Sequence, residues 1–192
     1  RAFMPPLEPP TETKKTKPLP WAGLGQTFLM AIALAWGGTA LMDGWAQVLA
    51  GSQFAAMGGL NLVLALAAIP VGWLALRWAK YPLLAIALGW LALMTSSLYL
   101  AVGTGIWVVP LVCIWAWALG TVKNGTLPYI FATVPGTWAG LGIGIFFGVT
   151  GMANQLFPQW FPAENLMLKS MVGMLSLAIA AFLALLPFFK IR

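Results

Sequence analysis

Residues 24–50 read LGQTFLMAIALAWGGTALMDGWAQVLA, a run in which Asp43 is the only ionisable side chain. At ~1.5 Å rise per residue, a helix of that length outreaches the ~30 Å hydrocarbon core of a bilayer. Further apolar stretches follow at residues 54–77, 81–102, 105–132, 138–157 and 166–189. The joints between them are short and polar or turn-forming: Gly51-Ser52-Gln53, Trp78-Ala79-Lys80, Gly103-Thr104, Val134-Pro135-Gly136 and Pro158-Gln159-Trp160-Phe161-Pro162. The chain as a whole is 61% hydrophobic and 7% charged, whereas a soluble domain carries about 25% charged residues. The expected fold is all-α: a polytopic membrane protein with six transmembrane helices in residues 21–192.

Residues 1–20 differ in kind. Pro5-Pro6, Pro9-Pro10 and Lys14, Lys15 and Lys17 mark an extended linker with no apolar core of the signal-peptide type. The chain also starts without methionine, as a piece of a longer protein would. Six spans put both termini on one side of the membrane. With that side cytoplasmic, Lys14, Lys15, Lys17, Arg77, Lys80, Lys190 and Arg192 all lie inside, as the positive-inside rule requires. Only Glu164 and Lys169 are then left to the outer loops. The net charge of +6 is on this reading a topology signal, and no nucleic-acid partner is expected. The multi-pass arrangement suits a plasma or inner membrane and equally an organellar or thylakoid one.

Inventory excludes much chemistry. The chain has no histidine, which removes His-based intramembrane proteolysis, His-ligated haem and the usual zinc sites. Of its four carboxylates, Glu8 and Glu12 lie in the linker, so no acid pair serves glycosidase or di-metal chemistry. Gly140-Leu141-Gly142-Ile143-Gly144 lacks the Lys-Ser/Thr of a phosphate loop. Cys113, the single cysteine, reads as an apolar packer. No catalytic residue, metal or cofactor is expected; the chain reads as a non-enzyme.

The polar residues inside the spans are the functional candidates, because an ionisable group in a spanning helix is normally aimed at a cavity or bundle interior. Trp36-Gly37-Gly38-Thr39 and Met42-Asp43-Gly44 should bend or break the first span, and Asp43 and Gln47 at i, i+4 share a face. That face either lines a cavity or is the hydrated outer end of a tilted helix. The fourth span repeats the character in Gly120-Thr121-Val122-Lys123-Asn124-Gly125, followed by Pro128. Lys123 and Asn124 line a cavity, or Lys123 snorkels to the inner interface. Asp43 and Lys123 differ in depth by more than about 10 Å, which argues against a direct pair. If the six spans are two three-helix repeats, the first and fourth are corresponding members, and interrupted segments at matching positions point to a transporter's binding site.

The remaining features read as packing. Gly140, Gly144 and Gly148 form a four-residue row for close approach of another helix, within or outside this chain. Asn154 and Gln155 end that span near the outer surface. Asn61 and Thr95-Ser96-Ser97 suit interhelical or backbone hydrogen bonds. Trp21, Trp73, Trp78, Trp138 and Trp160 suit an aromatic belt, while Trp36, Trp45, Trp90, Trp107, Trp115 and Trp117 face lipid or a planar ligand.

Gly72-Trp73-Leu74-Ala75-Leu76-Arg77-Trp78-Ala79-Lys80-Tyr81 resembles a degenerate loop signature of the major facilitator superfamily. Gly72, Arg77 and Lys80 match it, while Leu76 replaces the acidic position, Ala79 the second glycine and Tyr81 the last basic residue. Leu127-Pro128-Tyr129 followed by Val134-Pro135-Gly136-Thr137-Trp138-Ala139-Gly140 is similar to the junction of the tenth and eleventh helices in its glycoside or sugar-cation symporters, with Ala139 where they carry arginine. The resemblance covers roughly residues 20–190 and implies the carboxyl-terminal six-helix half of a twelve-helix transporter. It implies that Asp43, Gln47, Lys123 and Asn124 line a central cavity for a small-molecule solute or coupling ion. It also implies that the fifth span packs against the other half, and the loss at Leu76 puts the usual inner charge network in doubt. The expected function is secondary transport of a small polar solute by alternating access. The rival expectation is a non-transporting, transporter-like subunit or assembly factor in a larger membrane complex.

Overall fold

A computed structural model describes residues 18–48, 80–98, 108–162 and 166–190, with isolated positions between 62 and 73. Among the described residues the protein is all-helical, with five α-helices and no strand: α1 (Trp21–Val48), α2 (Lys80–Leu98), α3 (Val108–Thr133), α4 (Ala139–Trp160) and α5 (Leu166–Lys190). A 3₁₀ turn at Gly136–Trp138 joins α3 to α4. Among the described residues three stretches, Trp21–Gly44, Gly136–Trp160 and Met167–Pro187, are long and apolar enough to cross a membrane, which suggests a membrane protein. The stretch 54–77 lies outside the described residues apart from the isolated positions, as do Gly72 and Arg77.

The helices are apolar on both faces, the pattern of helices that meet neighbours on one side and lipid on the other. Small and medium residues such as Ala31, Ala35, Leu88, Leu91, Ala180 and Ala184 are buried between helices. Large residues such as Phe28, Ile86, Leu93, Phe131, Ile179 and Phe182 point outward, as a lipid solvent favours. α5 packs against both α1 and α2, α4 lies on α1, and α3 lies on α2. The close contacts thus run α3–α2–α5–α1–α4, and the ring is closed only loosely between α3 and the α1–α4 pair.

Glycine sets how near the backbones come. A Cβ at Gly37 would run into the Leu177 side chain, and one at Gly173 into Ala40, so α1 and α5 meet at van der Waals distance through these two positions. At the amino-terminal end of α1, Gly23 seats against the Thr133 carbonyl at the end of α3.

The interruptions expected in the first and fourth spans are absent: α1 is continuous through Gly37-Gly38, and α3 through Gly120, Gly125 and Pro128. Gly37 and Gly125 serve close packing instead, the latter against Leu84. The threonines satisfy themselves within their helices, with Thr121 donating to the Trp117 carbonyl (3.0 Å) and Thr126 to that of Val122 (2.6 Å).

Pro187, inside α5, cannot supply the N–H that would close on the Leu183 carbonyl. Two side chains replace it. The Tyr129 hydroxyl donates to Leu183 O at 3.0 Å, and Gln26 Nε2 donates to the same carbonyl at 3.0 Å and to the Tyr129 oxygen at 2.7 Å. Buried in an apolar bundle, such a carbonyl must find a partner. This one ties α1, α3 and α5 together at a single point.

Candidate functional site

The loose closure of the ring leaves a cavity of about 640 Å³ between α1, α3 and α4. Each helix contributes one face at four-residue spacing: Leu34, Gly38 and Met42 from α1; Trp115, Leu119 and Lys123 from α3; Phe146, Thr150 and Asn154 from α4. Leu91 and Leu177 reach it from α2 and α5. Among the described residues a Cβ at Gly38 would meet nothing within 4 Å, so this glycine leaves open space in the wall where its neighbour Gly37 fills a helix contact. Trp115 is fully buried at the inner side. Met42, Lys123, Leu127, Phe147 and Asn154 line the cavity and are exposed, so it opens along that side.

The wall is mainly apolar and its hydroxyls are already engaged. Thr39 donates to the Ala35 carbonyl (2.9 Å), Thr126 to Val122 (2.6 Å) and Thr150 to Phe146 (2.7 Å). The Thr39 hydroxyl shares its proton with Asn154 Oδ1, which accepts at 3.1 Å and links α1 to α4. Lys123 is different. Among the described residues it makes no ion pair, so its ammonium is the wall's uncommitted charge. With Gly23 seated on Thr133, Lys123 lies about 15 Å from that end of the bundle and Asp43 about 30 Å, at ~1.5 Å per residue.

Asp43 is not on the cavity wall. Its Oδ2 accepts from Lys169 Nζ at 2.6 Å, joining α1 to the first turn of α5. The Lys169 side chain is 6% exposed and that of Asp43 37%, so the cation is the desolvated partner. Lys169 Nζ also stands 6.0 Å from the centre of the Phe157 ring, whose face attracts a cation. Phe157 belongs to an aromatic cluster with Trp36, Trp160 and Phe161, centroids 5.1–6.2 Å apart. Together the cluster and the ion pair fill the end of the bundle beyond the cavity.

The charge count leaves Lys169 to an outer loop, although the apolar stretch 166–189 includes it. It lies instead inside α5 and is buried, because Leu166-Met167-Leu168 carry the helix past it. That apolar lead-in was the available signal. Trp115, expected to face lipid or a planar ligand, does not face lipid: it is buried and lines the cavity on one helical face with Leu119 and Lys123.

The other sequence candidates divide. Asn124 is exposed beside the cavity without lining it. Gln47 and Lys80 lie in α1 and α2, but their side chains are outside the described residues. Among the described residues nothing lies within 4 Å of a Cβ at Gly140, Gly144 or Gly148, whereas Gly142 packs on Ile130 and Val134. Tyr129, quoted in the Leu127-Pro128-Tyr129 motif, is the buried ligand of the Leu183 carbonyl. No family model, curated protein or solved structure matches the chain.

Proposed function

We propose that this chain is a six-helix half of a secondary transporter of the major facilitator type, moving a small molecule by alternating access with a second half. The observation that carries the reading is the cavity between the first and fourth spans and α4, with the uncommitted Lys123 on its wall. A pocket of this size, apolar with a few polar groups, suits one small ligand. The order of the Gly72/Arg77/Lys80 and Leu127-Pro128-Tyr129 motifs supports the same reading. Both termini are cytoplasmic, following the lysines and arginines. Lys123 binds solute, and Asp43 holds α5 through Lys169 and is released only if that pair opens.

Alternating access is testable without knowing the solute. After Cys113→Ser removes the single native thiol, Gly38→Cys and Lys123→Cys are probed in the native assembly with a membrane-impermeant thiol reagent from either side. Labelling from both sides is the expected result; access from one side alone would sink the transporter reading. The rival, a non-transporting subunit of a larger complex, accounts equally for the row of Gly140, Gly144 and Gly148, which no described residue covers. It predicts one-sided access together with stable copurification of a membrane partner.

A further inference from the structure

We propose that the cavity takes an anionic amphiphile: a single-chain or compact ring-bearing carboxylate whose apolar body lies along Leu34, Leu119, Phe146 and Trp115 and whose acid head meets Lys123. The inference rests on reading the cavity as the solute site and narrows the class of solute.

The wall decides against a neutral polar solute. A sugar buries many hydroxyls, each of which needs a partner. Here the hydroxyls of Thr39, Thr126 and Thr150 already donate to their own helices. Most of the remaining surface is leucine, methionine, phenylalanine and tryptophan, which rewards burial of apolar area.

Charge then selects the head group. The bundle's deeply buried cation, Lys169, is matched by Asp43, and among the described residues no carboxylate accompanies Lys123. An ammonium in an apolar wall gains most from a ligand that brings its own anion, through a charge-assisted hydrogen bond. Access fits as well. The exposed side, marked by Met42, Leu127 and Phe147, gives an amphiphile an apolar way in. A cavity of about 640 Å³ is the size of a drug-like ligand's site, which favours one chain or ring system over a two-chain phospholipid.

The test measures binding of radiolabelled oleate and of its methyl ester to the purified protein with its native partners. Wild type should prefer oleate by about tenfold or more. Lys123→Met should abolish the preference, Lys123→Arg should retain it, and Gly38→Leu should weaken both ligands by filling the wall. Equal binding of acid and ester in wild type, or a preference that survives Lys123→Met, would overturn the proposal. So would displacement of oleate by phosphatidate vesicles as readily as by oleate, which would make a membrane lipid the occupant. Thiol access separates this inference from the transport reading. Oleate binding with one-sided access removes transport and keeps the ligand class; alternating access without oleate binding removes the ligand class alone.

Discussion

Lys169 and Asp43 form an unequal pair, and the inequality predicts an unequal response to mutation. The lysine is nearly sealed from solvent while the carboxylate keeps more than a third of its exposure. Asp43→Asn therefore strands a buried cation, which costs about 1–3 kcal/mol or more. Lys169→Met leaves a carboxylate that water can still reach and replaces the ammonium by an apolar chain of similar length, so its cost should be smaller. The double variant should be more stable than Asp43→Asn alone, since no charge is left unpaired. Thermal unfolding of the three proteins in one detergent measures this order; equal losses in both single variants would show that the pair is not the source. Transport by the double variant, if retained, would assign Asp43 to architecture and leave Lys123 as the charge that meets solute. At the same scale, Gly37→Ala should destabilise by about 1–3 kcal/mol, because its methyl overlaps Leu177. Gly38→Ala should do no harm and gain helix propensity.

At the scale of elements, α5 is held by an exchange of hydrogen bonds at its proline. Tyr129→Phe removes one donor from the Leu183 carbonyl and should cost about 1 kcal/mol. Pro187→Ala gives that carbonyl its backbone donor back, so Tyr129→Phe should cost markedly less in the Pro187→Ala background. A double-mutant cycle by thermal unfolding reads the coupling directly, and strict additivity would mean the hydroxyl acts elsewhere. This interaction marks the limit of what the sequence disclosed. The helices themselves were legible, since apolar runs at 105–132, 138–157 and 166–189 map onto α3, α4 and α5 with small shifts at their ends. Their partners were not. Gln26 and Leu183 meet across 157 positions, and Asp43 and Lys169 across 126; such pairs depend on which helices are neighbours, and hydropathy carries no such information. Gly37 and Gly38 make the same point within one helix. Adjacent residues point about 100° apart, so one packs and the other opens the cavity, and the dipeptide alone does not say which.

For the whole molecule the open question is what covers α4, and its glycines provide a built-in control. Gly142 packs on Ile130 and Val134 of this chain, while no described residue lies within 4 Å of a Cβ at Gly140, Gly144 or Gly148. A helix in lipid gains little by leaving such a row to acyl chains, because small-residue rows are useful chiefly where another backbone comes close. If a second transporter half or a partner subunit sits there, Gly144→Leu should leave the stability of the chain within about 0.5 kcal/mol yet abolish copurification of the partner. Gly142→Leu should behave in the opposite way. It crowds α3 within the bundle, at an expected cost of about 1–3 kcal/mol, and association should fail only to the extent that the fold does. Detergent-solubilised complexes analysed by size-exclusion chromatography, with thermal unfolding of the same samples, separate the two effects. A Gly144→Leu protein that keeps its partner would leave the row facing lipid and would move the search for the second half to the side of the cavity that Lys123 and Phe147 leave open.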